Sequence, residues 1–129
     1  MQEEGRQKEK MAVYLADNPP TDIEMWRIKH LADYNVMDGS WYNTRSIYVA
    51  EIHVGFYVLH RNYLNFMHIF AKYRKRGYGR EVISQLCAKE RGIYLHATPS
   101  ARPFWAKCGF KLRQADSGEE DRSCVEMSL

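Results

Sequence analysis

Residues 74–79 read Arg-Lys-Arg-Gly-Tyr-Gly. Two glycines one residue apart sit in a basic stretch. Gly79, Val82, Ile83, Leu86 and Cys87 then follow at helical spacing. A helix N-terminus carries unpaired N–H groups and the positive end of the helix dipole. Glycine removes the side chain that would keep a ligand away from the backbone. A pyrophosphate suits such a turn, and Arg74, Lys75, Arg76 and Arg80 would add charge at its rim. The plainer reading of the same residues is a solvated basic loop. The turn is not a P-loop, because no Gly-Lys-Ser/Thr follows. It does not match a dinucleotide fingerprint either: Val82 stands where the third glycine belongs, and the turn follows an antiparallel hairpin.

The elements around this turn are legible. "AVYLA" (12–16) reads as a short strand, broken by "DNPP". Thr21 and Glu24 have capping-box spacing, which predicts a helix over about 22–34. "MDGS" (37–40) is a turn. "SIYVAEIHVGFYVLH" and "YLNFMHIF" are rich in β-branched and aromatic residues, with a tight turn at Arg61-Asn62. The helix after the glycine turn ends at Gly92. "IYLHA" is a strand, and "TPSARPFWAKCG" is a short helix ending at Gly109. "FKLRQ" and "SCVEMSL" are two final strands joined by the polar loop "ADSGEED". The order is strand, helix, three strands, helix, strand, helix, two strands.

The chain of 129 residues fits one domain, and 45% apolar residues suffice for a core. Residues 1–10 are polar and read as a flexible tail, which leaves 11–129 as the domain. Between Arg61 and Arg91 there are eight Lys/Arg against Glu81 and Glu90, whereas residues 114–129 hold five Asp/Glu against Arg122. A basic middle suits an anionic ligand, whether nucleotide, phosphate or nucleic acid. Cys87, Cys108 and Cys124 have neither metal-type spacing nor an even count, so no metal site is expected. No signal peptide or membrane span is evident. A cytoplasmic protein with no membrane partner is the expectation.

The sequence resembles the GNAT superfamily of N-acetyltransferases. Their cofactor motif, Arg/Gln-x-x-Gly-x-Gly/Ala, is matched by Arg74 to Gly79. A second family segment, Leu-His-Ala-Ser-x-x-Gly-Arg-Pro-x-Tyr-x-x-x-Gly-Phe, is matched nearly position for position by "LHATPSARPFWAKCGF" (95–110). The resemblance implies the acyl-CoA N-acyltransferase fold: α/β (α+β), with a mixed, mostly antiparallel sheet flanked by helices. It implies acetyl-CoA as co-substrate and an amine-bearing acceptor, small molecule or protein. In such folds the fourth and fifth strands splay, and the pantetheine arm lies between them. Its amides would pair with the backbone of Ile69, Phe70 and Ala71, freed by a bulge. The pyrophosphate would sit on the N–H groups of Arg74, Lys75, Arg76, Gly77, Tyr78, Gly79 and Arg80. Thr98, Ala101 and Trp105 would flank the thioester. Edge strands in this fold pair across dimers, so a homodimer is one arrangement the resemblance allows.

Acetyl transfer to an amine needs a neutral nucleophile, fixed donors for an oxyanion, and a proton or hydrogen bond for the thiolate. The resemblance puts the oxyanion donors at the N–H groups near Ile69 or Phe70. The family often uses a tyrosine acid four residues before Gly-Phe, and here Trp105 stands there. An indole N–H donates a hydrogen bond but is no useful acid. Two histidines near strand ends, His68 and His96, are alternative bases. Each is also explained as a strand histidine satisfied by a neighbour. Glu51 is a weaker third candidate. Met25, Trp26 and Tyr34 of the first helix would form one wall of an acceptor site. Trp105 motivates a second reading: an acyl-CoA-binding module, weakly active or inactive, acting by protein or RNA contact. A nucleic-acid binder is a third and less favoured reading, because the aromatics of the basic region do not space like a stacking platform.

Overall fold

The structure is a computed structural model that describes residues 12–36, 40–113 and 125–129. The expected tail at 1–10, most of the "MDGS" turn, Cys124 and the "ADSGEED" loop lie outside the described residues.

Seven strands form one sheet in the order β1-β2-β3-β4-β5-β7-β6. They are β1 (Val13–Leu15), β2 (Thr44–Val49), β3 (Ile52–His60), β4 (Tyr63–Ile69), β5 (Tyr94–Ala97), β6 (Lys111–Leu112) and β7 (Val125–Ser128). Among the described residues only the β4–β5 pairing is parallel. Three helices complete the fold: α1 (Asp22–Ala32), α2 (Tyr78–Lys89) and α3 (Arg102–Lys107). The mixed, mostly antiparallel architecture expected from the sequence is the one found.

The first helix starts where its capping box requires. Thr21 Oγ1 accepts from the Glu24 N–H at 3.3 Å, and Glu24 Oε1 accepts from the Thr21 N–H at 3.1 Å. The α2 terminus differs from expectation. The helix ends at Lys89, and Glu90 leaves it in extended backbone. Gly92 instead turns the chain toward β5 with φ +72°, a conformation that favours glycine.

The sheet buries a layer on each face. On one, Val82, Ile83 and Leu86 of α2 pack on Ile47, Tyr57, Leu64 and Leu95, with Trp105 and Phe110 closing the end. On the other, Ile28 of α1 packs with Phe56, Val58 and Phe70. Parity along β3 shifts by one residue at a bulge, where Ile47 faces Gly55 but Tyr48 faces His53. A Cβ on Gly55 would lie 2.3 Å from the His68 carbonyl oxygen. Only glycine lets β3 pass β4 this closely.

Candidate active site

The first structural requirement is the gap. Tyr63 pairs with Tyr94, and the Tyr94 N–H donates to the Asn62 carbonyl at 2.9 Å. Asn62 Nδ2 adds a bond to the Gly92 carbonyl at 3.1 Å. No further β4–β5 register pair follows among the described residues, so the strands part beyond Tyr63. On its other edge, β4 stays bonded to β3. The Phe70 N–H donates to the Val54 carbonyl at 2.8 Å. By antiparallel alternation His68 also faces β3, while Met67 and Ile69 turn their N–H groups toward the gap.

This geometry corrects the expected oxyanion donors. The Phe70 N–H is already taken, and the Phe70 side chain is buried under α1. The expected bulge near Ile69 lies earlier: Val58 faces Phe66 and Leu59 faces Leu64, which leaves Asn65 unpaired. The bulge switches side-chain parity, so Met67 and Ile69 point toward α2 while Phe66 and Phe70 pack with α1; His68 stacks on Phe66 and also lines the cleft that opens at this edge.

A cleft of ≈ 760 Å³ runs from this exposed edge to the N-terminus of α2. Ile69, Arg74, Lys75, Gly77, Tyr78, Gly79 and Arg80 line it, and Ala101 and Trp105 close the far wall. Gly77 has φ +85° and no side-chain cap serves the helix. The first helical bond is from the Glu81 N–H to the Gly77 carbonyl at 3.2 Å, so the N–H groups of Tyr78, Gly79 and Arg80 have no partner within the helix. A Cβ on Gly77 would meet nothing within 4 Å. A Cβ on Gly79 would press on Phe104 at 3.3 Å and Met67 at 3.4 Å. The two glycines thus have different tasks: Gly77 supplies the backbone turn, and Gly79 lets α2 sit close to α3 and β4. Unpaired helix N–H groups rimmed by Arg74, Lys75 and Arg80 suit an anion, and a pyrophosphate group has the chemistry they call for.

Four expected contacts fall outside the cleft wall. Phe70 and Ala71 line a separate cavity on the α1 side. Arg76 is exposed within the turn. Thr98 caps the turn Pro99–Ala101, its carbonyl accepting from Ala101 at 3.0 Å and Arg102 at 3.1 Å. Trp105 packs edge-on against Phe104 and Phe110, with ring centroids 4.9 and 5.5 Å apart.

The two histidines have different surroundings. His68 lies in a row of aromatic rings, parallel to Phe66 at 6.1 Å. Arg74 Nη2 lies 3.1 Å from its Nε2, and Arg74 Nε donates to the Ile69 carbonyl at 2.7 Å. Burial, and then the Arg74 charge, push the His68 pKa below its ordinary value. A guanidinium at its lone pair leaves His68 poorly placed to take a proton.

His96 is exposed, on the α1 face of β5, beside the point where the strands part. Tyr63 Oη lies 3.2 Å from its Nδ1. Glu126 Oε1 lies 4.0 Å from its Nε2, and Arg113 holds the other Glu126 oxygen at 3.3 Å. Glu126 faces His96 in the β5–β7 register. The result is a row, Tyr63–His96–Glu126–Arg113, in which Tyr63 and His96 are at hydrogen-bond distance and Arg113 pairs with Glu126. Tyr63 and Met67 were missed by reading the sequence. The family-like segment pointed to His96, but Tyr63 becomes its neighbour only through β4–β5 pairing. Glu51 lies in the exposed β2–β3 turn and lines the α1-side cavity, not the cleft.

A model of the GNAT acetyltransferase domain matches residues 43–112. The chain belongs to the GNAT acetyltransferase family. The match takes in the central strands, the α2 glycine turn and α3. No curated protein matches the chain at a significant level. Solved structures share the GNAT fold at low identity. One is Arabidopsis thaliana Naa50 in complex with the bisubstrate analogue CoA-Ac-MVNAL: 22% identity, TM-score 0.65, covering 91% of this chain and 97% of that one. Another is the Bacillus subtilis N-acetyltransferase YlbP with coenzyme A: 16% identity, TM-score 0.70, covering 92% and 96%. Ard1 from Thermoplasma volcanium is similar at 16% identity and TM-score 0.64, covering 92% and 97%. GNAT membership accounts for the two motifs together, the glycine turn and the segment from Leu95 to Phe110.

Proposed function

We propose that the protein transfers an acetyl group from acetyl-CoA to a primary amine, in the cytoplasm. The observation that carries this reading is the continuous cleft. It joins the uncapped α2 N-terminus to the free edge of β4; the Tyr63–His96 pair lies outside its lining, where β4 and β5 begin to part. Family membership supports the donor. The peptide part of the analogue bound to the Naa50 neighbour supports an amine-bearing acceptor.

Acetyl-CoA would supply an activated carbonyl, and the chain's residues would do the rest. Gly77 to Arg80 would hold the pyrophosphate by backbone N–H groups. The gap-facing N–H groups of Met67 and Ile69 would orient the pantetheine arm and the carbonyl oxygen. Strand geometry favours Met67 as the oxyanion donor. Tyr63 pairs with Tyr94, so His96 lies two residues past the last pair, level with about position 65 across the opening gap, and Ile69 is about 7 Å further along than Met67.

With a proton on His96 Nε2, on the side of Glu126, Nδ1 is left as the acceptor for the Tyr63 hydroxyl. A proton leaving the attacking amine would be taken at the Tyr63 oxygen as the Tyr63 proton passes to Nδ1. The resulting imidazolium would face Glu126, and the same proton would return by Tyr63 toward the leaving sulfur. Trp105 holds the position the family often gives to a tyrosine acid, and in this scheme Tyr63 takes that task.

The test is release of free CoA thiol from acetyl-CoA with a panel of N-terminal peptides and small amines, with mass spectrometry of the products. A mass gain of one acetyl group on an amine, dependent on Tyr63, supports the reading. Acetyl-CoA binding without any acetylated amine would instead make the protein an acyl-CoA-binding module.

A further inference from the structure

A second cavity, ≈ 710 Å³, lies on the α1 face of the sheet. It is enclosed by α1, the Ala50–Glu51 turn and the turn Ala71–Tyr73. Tyr73 lines both this cavity and the cofactor cleft, so one short turn separates them.

The polar groups here are unevenly matched. Arg27 and Lys72 both line the cavity, and neither has a carboxylate partner among the described residues. Arg27 Nη1 reaches only His53 Nδ1, at 3.4 Å. Lys72 Nζ lies 5.5 Å from the Tyr73 ring centroid. Glu24 is in the same cavity but is already satisfied: Oε1 accepts from Thr21 and Ser46, and Oε2 accepts from Tyr48. Its charge is committed to the fold and is not offered to the two cations.

The mouth is apolar. Leu31 and Ile52 line it although they are 53% and 49% exposed, and Phe70 forms the floor. Glu51 stands at the rim, held by the two-residue turn of the β2–β3 hairpin, whose residues Ala50 and Glu51 take the positive φ that such turns use.

We infer that this cavity is a second binding site, for a small amphipathic carboxylate. Its acid group lies between Arg27 and Lys72, and its apolar body lies on Phe70, Leu31 and Ile52. Arginine and lysine together suit an anionic oxygen group such as a carboxylate, and Phe70, Leu31 and Ile52 supply the apolar surface beside them. An ammonium on the same ligand meets Glu51 at the rim.

The test uses phenylacetate titrated calorimetrically into the full chain, into Arg27→Gln and into Lys72→Gln. Saturable binding weakened at least about 10-fold in each variant is expected, since a charge-assisted pair is lost. Lys72 is exposed, so its variant reports even if loss of Arg27 harms folding. No saturable binding to the parent, or equal binding to the parent and the Lys72 variant, overturns the assignment. L-phenylalanine with acetyl-CoA then distinguishes two sources of the ligand. Acetylation of its amine makes the cavity the acceptor's seat. Competition with phenylacetate without acetylation makes it an effector site. The binding result stands apart from acetyl transfer, so failure of one reading does not imply failure of the other.

Discussion

Tyr63 Oη and His96 Nδ1 lie 3.2 Å apart across the seam where β4 and β5 separate. The contact joins residues from two strands on the face of the sheet that also carries α1. It places a hydroxyl and an imidazole at hydrogen-bond distance, with Glu126 and Arg113 behind them.

The first prediction concerns that row. Tyr63→Phe and His96→Gln should each lower kcat about 100-fold, with the KM for acetyl-CoA little changed. The double variant should be no slower than the slower single one, because the two residues act as a unit. Thiol-release kinetics measure this. Additive losses would mean that the residues act separately.

His68 should behave differently. Its ring is held by Arg74, so His68→Phe should leave the pH profile of kcat in place. It should change acetyl-CoA affinity by several-fold, through release of Arg74 from the cleft wall. Disappearance of a limb of the pH profile would assign the base to His68 instead.

Stability should fall with acid in two windows. Burial pushes the His53 pKa below 6.5; Glu24 and the Gly55 backbone oppose this, and Arg27 reinforces it. A depressed folded pKa favours the neutral ring in the folded state, so stability is full above pH 6.5 and declines as pH falls below it. Burial would raise the Glu24 pKa, but hydrogen bonds from Tyr48, Thr21 and Ser46, with nearby His53, bring it below 4.5. Its contribution is present above pH 4.5 and is lost as pH falls through the lower folded value. Thermal melts from pH 8 to 3 should show both declines. His53→Phe should remove the first and leave most of the second, which rests mainly on the hydrogen bonds from Tyr48, Thr21 and Ser46.

Gly55→Ala should destabilise the fold by about 3 kcal/mol, since the added methyl overlaps β4 backbone and no side chain can yield. Urea denaturation measures it. A change under about 0.5 kcal/mol would mean that the strands separate easily at this point.

Much of this arrangement was legible beforehand. The Thr21–Glu24 capping box, the apolar face of α2 and the glycine turn are local signals, and each is found where the residues put it. The bulges were not legible. Whether Asn65 or Ile69 is the extra residue depends on pairing with β3, and one shift reverses every following side chain. That is why Phe70 fell under α1 rather than into the gap. Met67 was overlooked for the same reason. Tyr63 carried no motif of its own; only the parallel pairing with β5 brings it to His96.

The central claim is that the α2 N-terminal turn holds the pyrophosphate of acetyl-CoA. Calorimetric titration of acetyl-CoA into the parent, Gly77→Ala and Gly77→Glu tests it most directly. Both variants share the strain of a side chain at φ +85°, so their difference isolates the carboxylate. The account predicts micromolar binding to the parent, modest weakening in Gly77→Ala and a loss of at least about 100-fold more in Gly77→Glu, from a negative charge set against the phosphates. Equal binding to the two variants, or no binding to the parent, would contradict it.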